Sequence, residues 1–212
     1  MGIDITMLAE RRRKAGGWER AEPLAPVTEV YDWYSKYVKG EPELIRVPVY
    51  SGRNYALYDA LVWGVYVSRG DTEEYLVEPV ARIRGMPRDA TDETLAAAEE
   101  DTDAYGASWV TVAELEAHDW GQGVLEKTTR CMGLAPGGER RGWRTVGVAP
   151  KEPDWTPAGA RYTTHFGAVL QDFVRPVGNT YREACQHFLG ATVPKLRAFG
   201  PPDDVRIVFW FG

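Results

Sequence analysis

The sequence predicts an α+β fold: a mixed or antiparallel sheet with the C-terminal strand near its centre and helices packed on it. Three observations carry this reading. Val205-Arg206-Ile207-Val208-Phe209-Trp210-Phe211 is a near-continuous apolar run, which suits a central strand covered on both faces. Residues 2–22 read as a β-hairpin laid alongside it, with Ala15-Gly16-Gly17 at the turn. Two helix-start signals, Thr111 with Glu114 and Thr180 with Glu183, have the three-residue spacing of a capping box. A length of 212 residues with 44% hydrophobic content suits a single domain over 1–212 that needs no disulfides to fold.

Each element follows from local pattern. In the hairpin, Gly2-Ile3-Asp4-Ile5-Thr6-Met7-Leu8 supplies β-branched residues in partial alternation, and Trp18-Glu19-Arg20 begins the return strand. Pro23 and Pro26 break that pattern, and Tyr31, Trp33, Tyr34 and Tyr37 then suggest a short aromatic helix. Ile45 to Tyr50 reads as extended. Leu57, Leu61 and Val65 recur at i, i+4 and i+8, which predicts a helix over 54–67, with Gly64 weakening its end. The acidic stretch 70–78 reads as mobile, and 80–83 as a short extended piece running into a turn at Arg84–Asp89. Residues 91–104, rich in Asp, Glu and Ala, read as an exposed helix or a loose loop.

Thr111 is the expected N-cap of the next helix, with Val110 and Leu115 as its hydrophobic staple and Trp109 just before the entrance. Glycines and prolines crowd residues 130–161, which predicts an irregular lid or arm with a short hairpin around Trp143–Val148. Phe166, Val169, Leu170 and Phe173 have helical spacing. Thr180 opens another helix, and Pro194 forces a break or a new start.

Composition excludes several function classes. A net charge of −6 argues against a duplex-DNA partner. The N-terminus lacks the apolar core of a signal peptide, no run is long enough to span a membrane, and the two cysteines are far apart, so a cytoplasmic protein is expected. No zinc spacing, nucleophile elbow or P-loop is present, and no cofactor is expected. His118, His165 and His187 are scattered, and the acidic run from Asp89 to Asp103 does not follow EF-hand order.

What stands out is an Arg–aromatic constellation at element ends. Only six of the 25 basic residues are lysine, and there are eight tryptophans. Arg53, Tyr55, Tyr58, Arg84, Arg88 and Trp109, with Arg141 and Trp143 from the Gly/Pro-rich segment, could hold a nucleotide-like ligand. Guanidinium forks would grip phosphate and rings would stack on a base. The competing structural reading pairs Arg84 and Arg88 with Asp89 or Asp92 and uses Trp109 to cover the core.

Five blocks occur in order along the chain: Gly2-Ile3-Asp4-Ile5, Arg53–Tyr58, Arg84-Gly85-Met86-Pro87-Arg88-Asp89, Ser108-Trp109-Val110-Thr111 through Glu114-Leu115, and Val205–Phe211. Together they resemble a family of small uncharacterised proteins of phages and prophages. The resemblance implies a phage-type setting in an infected or lysogenic bacterial host, and it implies no reaction. The chain departs from that family at Thr6 and at Tyr105-Gly106-Ala107, where relatives often carry His, and at Tyr66, where they tend to carry Arg.

The resulting expectation is a non-catalytic protein that sequesters a small anionic nucleotide-like ligand, such as a host immune signal. A homo-oligomer is left open. The alternatives are a metal-dependent phosphodiester hydrolase using Asp4, His118 or His165, with Glu10 a further residue that could converge on the histidines to hold a metal, and a protein-binding inhibitor or structural phage protein.

Overall fold

The computed structural model describes residues 4–26, 44–69, 72–134, 155–163 and 168–212. The expected helix at 31–37, the hairpin at Trp143–Val148, His165, and the candidate ligand residues Arg141 and Trp143 lie outside the described residues. The chain is α+β, and it separates into two compact units built from interleaved segments. Met1–Tyr58, Val80–His118 and Cys185–Gly212 form the first unit, and Asp59–Pro79 and Asp119–Ala184 form the second.

The first unit is organised by an antiparallel sheet. Strand β1 (Asp4–Arg12) turns through Gly16 and Gly17, both at positive φ, into β2 (Trp18–Arg20). On its other side β1 pairs with β12 (Val205–Phe211), which in turn pairs with β8 (Tyr105–Thr111). The C-terminal strand is therefore interior, and all seven of its residues are buried, as its apolar run predicts. A short hairpin of β3 (Leu24–Pro26) and β4 (Leu44–Arg46) lies between β2 and the next strand in sequence.

The edge of β1 away from β12 is shared. β2 pairs with residues 10–12, and β5 (Tyr50–Arg53) pairs with residues 4–7. Ala9, in the gap, is served by the chain just past β2. Ala21 N–H donates to the Ala9 carbonyl, and the Glu22 carboxylate accepts from Ala9 N–H at 2.5 Å. Arg20 forks onto the same Glu22, with both side chains buried. That charge pair substitutes for missing strand hydrogen bonds.

The two faces of this sheet differ in chemistry. The register opposes Ile5, Met7 and Ala9 to Phe211, Phe209 and Ile207, which makes one face apolar. The helices α3 (Val112–Ala117) and α5 (Val193–Arg197) pack against β12 and bury Val112, Leu115, Val193 and Leu196. The other face places Glu10 opposite Arg206, and each of these has a further partner in the same row, Arg20 and Thr111. Glu10 is 0% exposed and Arg206 2%, and their side chains are hydrogen-bonded at 2.7–2.8 Å.

Helix α1 (Tyr55–Tyr58) starts under the Asn54 side chain, which accepts from Leu57 N–H. The chain then enters the second unit through a π-helical turn, Asp59–Trp63, closed by Gly64 N–H on the Asp59 carbonyl at 2.7 Å. The helix predicted over 54–67 thus stops at Trp63. Gly64 sits at φ +63°, and a Cβ there would lie 2.5 Å from the Val77 carbonyl oxygen, so neither helix nor side chain continues. Val65–Arg69 forms β6 instead and pairs with β7 (Thr72–Val77). Within the stretch 70–78, read as mobile, Thr72–Val77 is strand, because β6 supplies partners for residues such as Tyr75 and Val77.

The rest of the second unit corrects two further expectations. Strands β9 (Gly123–Leu134), β11 (Ala168–Thr180) and β10 (Thr156–Thr163) form an antiparallel sheet with β11 in the middle. The described ends of the 130–161 segment are therefore strand rather than irregular arm, with register shifts where Gly and Pro interrupt the ladder. The described part of the helix read at 166–173, from Ala168 on, belongs to β11. Its apolar spacing fits a helix, but β-branched and aromatic residues flanked by two partners favour the sheet. After β11, Thr180 and Glu183 do form the expected reciprocal cap of α4 (Tyr181–Ala184). In the first unit, Phe188–Thr192 is π-helical, and Pro194 stands in the first turn of α5, the new start expected there.

Removing one partner of the Glu10–Arg206 pair leaves a buried charge uncompensated, at a cost of about 3–5 kcal/mol. Arg206→Met is expected to lose that much in urea unfolding, and Glu10→Leu/Arg206→Met is expected to recover part of it. A second expectation concerns Asp59, whose carboxyl burial pushes up to about 7. Its folded value lies above the unfolded one, so the stability it contributes is complete below about pH 4 and is lost as pH rises through 7. Asp59→Asn is expected to be more stable than the parent at pH 8, by up to about 4 kcal/mol, with the difference vanishing in acid. Thermal unfolding across that pH range checks it.

Candidate functional site

The strongest cluster of functional side chains lies on the charged face of the first unit's sheet and on the segment that crosses it, Arg84–Asp101. The Arg206 guanidinium lies 3.9 Å from the Trp18 ring centroid and 5.6 Å from that of Trp109. Arg12 stands 4.6 Å from Trp18, and Arg84 4.6 Å from Trp109. Arginine and tryptophan therefore alternate in the order Arg12, Trp18, Arg206, Trp109, Arg84. The order follows from the sheet: Arg12 opposes Trp18 across the hairpin, Arg206 comes from the central strand, and Trp109 comes from β8. Guanidinium planes stack well on indole, and each contact is worth about 0.5–2 kcal/mol.

Carboxylates neutralise most of the ladder. Asp89 accepts from Arg206 Nη1 and from Trp18 Nε1, both at 2.8 Å. The hydrogen bond from Arg206, with help from Trp18, holds the Asp89 carboxyl below its usual range against the opposing effect of burial. Glu10 Oε1 accepts from Thr91 N–H, Thr91 Oγ1 and Thr94 Oγ1 at 2.8–2.9 Å. Thr91 is the N-cap of α2 (Asp92–Glu100), so a buried carboxylate meets a helix N-terminus, where negative charge is favoured. Farther along, Asp101 accepts from Trp210 Nε1 at 2.8 Å, and Glu93 accepts from Arg46 at 2.5 Å.

The capping box predicted at Thr111 is present, and it does a second job. Glu114 accepts from Thr111 N–H at 2.8 Å while Thr111 Oγ1 accepts from Glu114 N–H at 3.2 Å. The same carboxylate takes the Arg84 fork at 2.5 and 3.1 Å. Burial works to raise the Glu114 carboxyl, but Arg84 and Thr111 outweigh it and the net shift is downward. Arg84 is held at its backbone as well, donating to Ser108 Oγ at 3.1 Å. The sequence reading paired Arg84 with Asp89 or Asp92. Its partner is Glu114, because Asp89 is taken by Arg206.

The other predicted residues separate into two places. Arg84 and Trp109 meet near Arg206, at the Glu10 end of β1, and Arg88, one residue before Asp89 in the chain, is exposed and makes no ion pair among the described residues. Arg53 pairs with Asp4, both exposed, at the opposite end of β1. Asp4 and Glu10 are six residues apart on one strand, a span of roughly 20 Å. Tyr55, 51% exposed, is two residues from Arg53, and Tyr58 packs edge-on against Phe211 at 4.3 Å. The six candidate residues that are described thus do not line one cleft. Among the residues raised for metal chemistry, Asp4 is occupied by Arg53, Glu10 by Arg206, and His118 closes the end of α3 through its backbone. Among the described residues no cluster of three or more His, Cys, Asp or Glu side chains could hold a metal ion.

Glu10, Trp18, Asp89 and Arg206 were not singled out from sequence as one cluster. The available signal was Arg206 itself, a charge inside a strand read as covered on both faces.

Compared with family models, curated proteins and solved structures, the chain finds no match in any of the three.

Asp89, Glu93 and Glu114 all have carboxyls held below their ordinary values. Their folded values lie under the unfolded ones, so the stability they contribute is full above the unfolded carboxyl range, about pH 4, and falls away as pH drops through the folded values. Acid titration followed by tryptophan fluorescence is expected to show the Trp18 and Trp109 environments changing below about pH 4, with no comparable step between pH 5 and 6.

Proposed function

We propose that this chain is a phage-type, non-catalytic protein that sequesters a small anionic, nucleotide-like ligand at the Arg84, Arg88 and Trp109 end of its sheet. The observation that carries the reading is a planar cation–aromatic platform. Arg84 stacks on Trp109, four residues before the exposed Arg88. A half-buried indole edge offers a base something to pack against, and Arg88 offers a phosphate a guanidinium that no carboxylate has claimed among the described residues. Arg84 already serves Glu114, so a phosphate must compete there, which makes Arg88 the primary anion contact. The resemblance to small phage proteins supplies the context: a host nucleotide signal held intact rather than cleaved. The arginines at the site are donors that cannot be deprotonated, which suits retention of an anion and supplies no general base.

The test is incubation with a panel of cyclic and ADP-ribose-derived nucleotides, followed by thermal shift and by denaturation to recover what was bound. An intact nucleotide retained by the protein is the expected result. Arg88→Glu is expected to weaken binding by about tenfold or more, the scale of one charge-assisted contact. Arg53→Ala, at the far end of the sheet, should leave it within about twofold. No retained ligand and no thermal shift across the panel would overturn the proposal. Recovery of a chemically altered nucleotide would replace it with a hydrolase.

A further inference from the structure

We infer that Arg84–Asp101 is a charge-latched strap that opens as a unit while the sheet beneath it stays folded. The inference goes beyond the ligand reading and does not depend on it. It starts from how the segment is held. Between residues 84 and 101 only Pro87 and Thr94 are buried, and α2 buries no residue except Thr94. The segment contributes little apolar area, so the usual adhesive between a helix and a sheet is largely missing.

Polar clamps replace it. Arg84 holds the N-terminal end to Glu114, Asp89 and Thr91 hold the middle to Arg206 and Glu10, and Asp101 holds the C-terminal end to Trp210. The strand side chains engaged from β1 and β12 are Glu10, Arg206 and Trp210. The register places all three on the charged face of the sheet and none on the apolar one.

Lifting the strap therefore differs from unfolding. Glu10 and Arg206 remain hydrogen-bonded to each other across β1 and β12, because their mutual contact belongs to the sheet and not to the strap. Water then solvates the positions vacated by Asp89, Thr91 and Thr94. The apolar face, with Met7, Ile207 and Phe209 at 0% exposure, is untouched. A segment with few buried apolar contacts and many replaceable polar ones is the kind that opens below the global unfolding energy. What opening uncovers is specific: Trp18 and Trp109 flanking Arg206, with the guanidinium released from Asp89. Two of the clamps are partly solvated. Arg46–Glu93 has side-chain exposures of 27% and 58%, and Arg84–Glu114 of 31% and 33%. Salt therefore reaches them.

Hydrogen exchange on the full chain tests this. The amides of Arg84–Asp101, including Thr91 N–H on Glu10, are expected to exchange together and at least about tenfold faster than those of β1 and β12, as sub-global opening requires. Raising NaCl to about 0.5 M, where the screening length falls to roughly 4 Å, should speed the strap and leave the sheet amides unchanged. Asp89→Asn should speed the strap by a further factor of about ten, again without affecting the sheet. Arg46→Ala, which removes the partly solvated Glu93 clamp together with one hydrogen bond to the Glu22 carbonyl and leaves the Glu10–Arg206 pair intact, gives a second variant and should move the same amides in the same direction. The inference is overturned if strap and sheet amides exchange at one common rate in the parent and in Arg46→Ala, with salt acting on both equally. The cover would then come off only by global unfolding.

Discussion

A carboxylate and a guanidinium facing each other across β1 and β12, both out of water, constrain much of the first unit. Ionised groups in that position are tolerated only if every remaining donor and acceptor is engaged. Glu10 gives one oxygen to Arg206 and has a second to satisfy, which requires Thr91 and Thr94. Arg206 has N–H groups left over, which requires Asp89, and two flat faces, which the indoles of Trp18 and Trp109 can cover. Once those partners are required, the path of the chain from Arg84 to Asp101 is largely determined, because Asp89 and Thr91 must lie over the row that contains Arg206 and Glu10. The pair is a modest source of stability compared with the apolar face, and a strong source of register. A one-residue slip of β1 against β12 would move Glu10 to the face occupied by Ile207 and Phe209.

The same requirement explains why β12 is buried on both sides although only one side is greasy. The face that carries Ile207, Phe209 and Phe211 is apolar, and two short helices pack against its strand, whereas Arg206 and Trp210 on the other face are held by a segment whose grip is polar. Apolar cover is non-directional and tolerates sliding. Polar cover is directional and either fits or is released, which gives the two faces of one sheet different mechanical characters. Arg20 and Glu22 repeat the device on a smaller scale, where a buried ion pair fills a gap in the strand ladder between β2 and β5.

Much of the first unit was legible because its signals are local. The hairpin needs Gly16 and Gly17 at its turn, the cap at Thr111 needs Glu114 three residues on, and the interior strand announces itself by continuous apolarity. The second unit was misread where periodicity is ambiguous. Val169, Leu170 and Phe173 fit a helix and a strand alike, and only the presence of β9 and β10 on either side decides for the strand. The candidate site was half legible. Arg84 and Trp109 do meet, but nothing in their own neighbourhood foretells Glu114 as the partner or Trp18 as the next member of the ladder. Those contacts depend on strand order, which local pattern does not encode. Arg206 did encode something that could have been used: in a strand covered on both faces, a buried arginine obliges a carboxylate elsewhere, and Glu10 is the acidic residue that the antiparallel pairing brings opposite it.

This bears on how Arg–aromatic blocks should be read. The chemistry that grips a nucleotide, a planar cation on an indole with an oxyanion at its fork, is also the chemistry that latches a polar strap to a sheet. Composition cannot separate the two uses, but neutralisation can. A guanidinium already forked onto a carboxylate is structural until something displaces that carboxylate. Arg53 with Asp4, Arg84 with Glu114 and Arg206 with Glu10 and Asp89 all meet that description. Arg88 lies beside the ladder without such a partner among the described residues, on the exposed turn that precedes Asp89. A ligand arriving there would meet an uncommitted cation first and the latch second. Its anionic groups would then compete with Glu114 and Asp89 for the arginines that those carboxylates now hold.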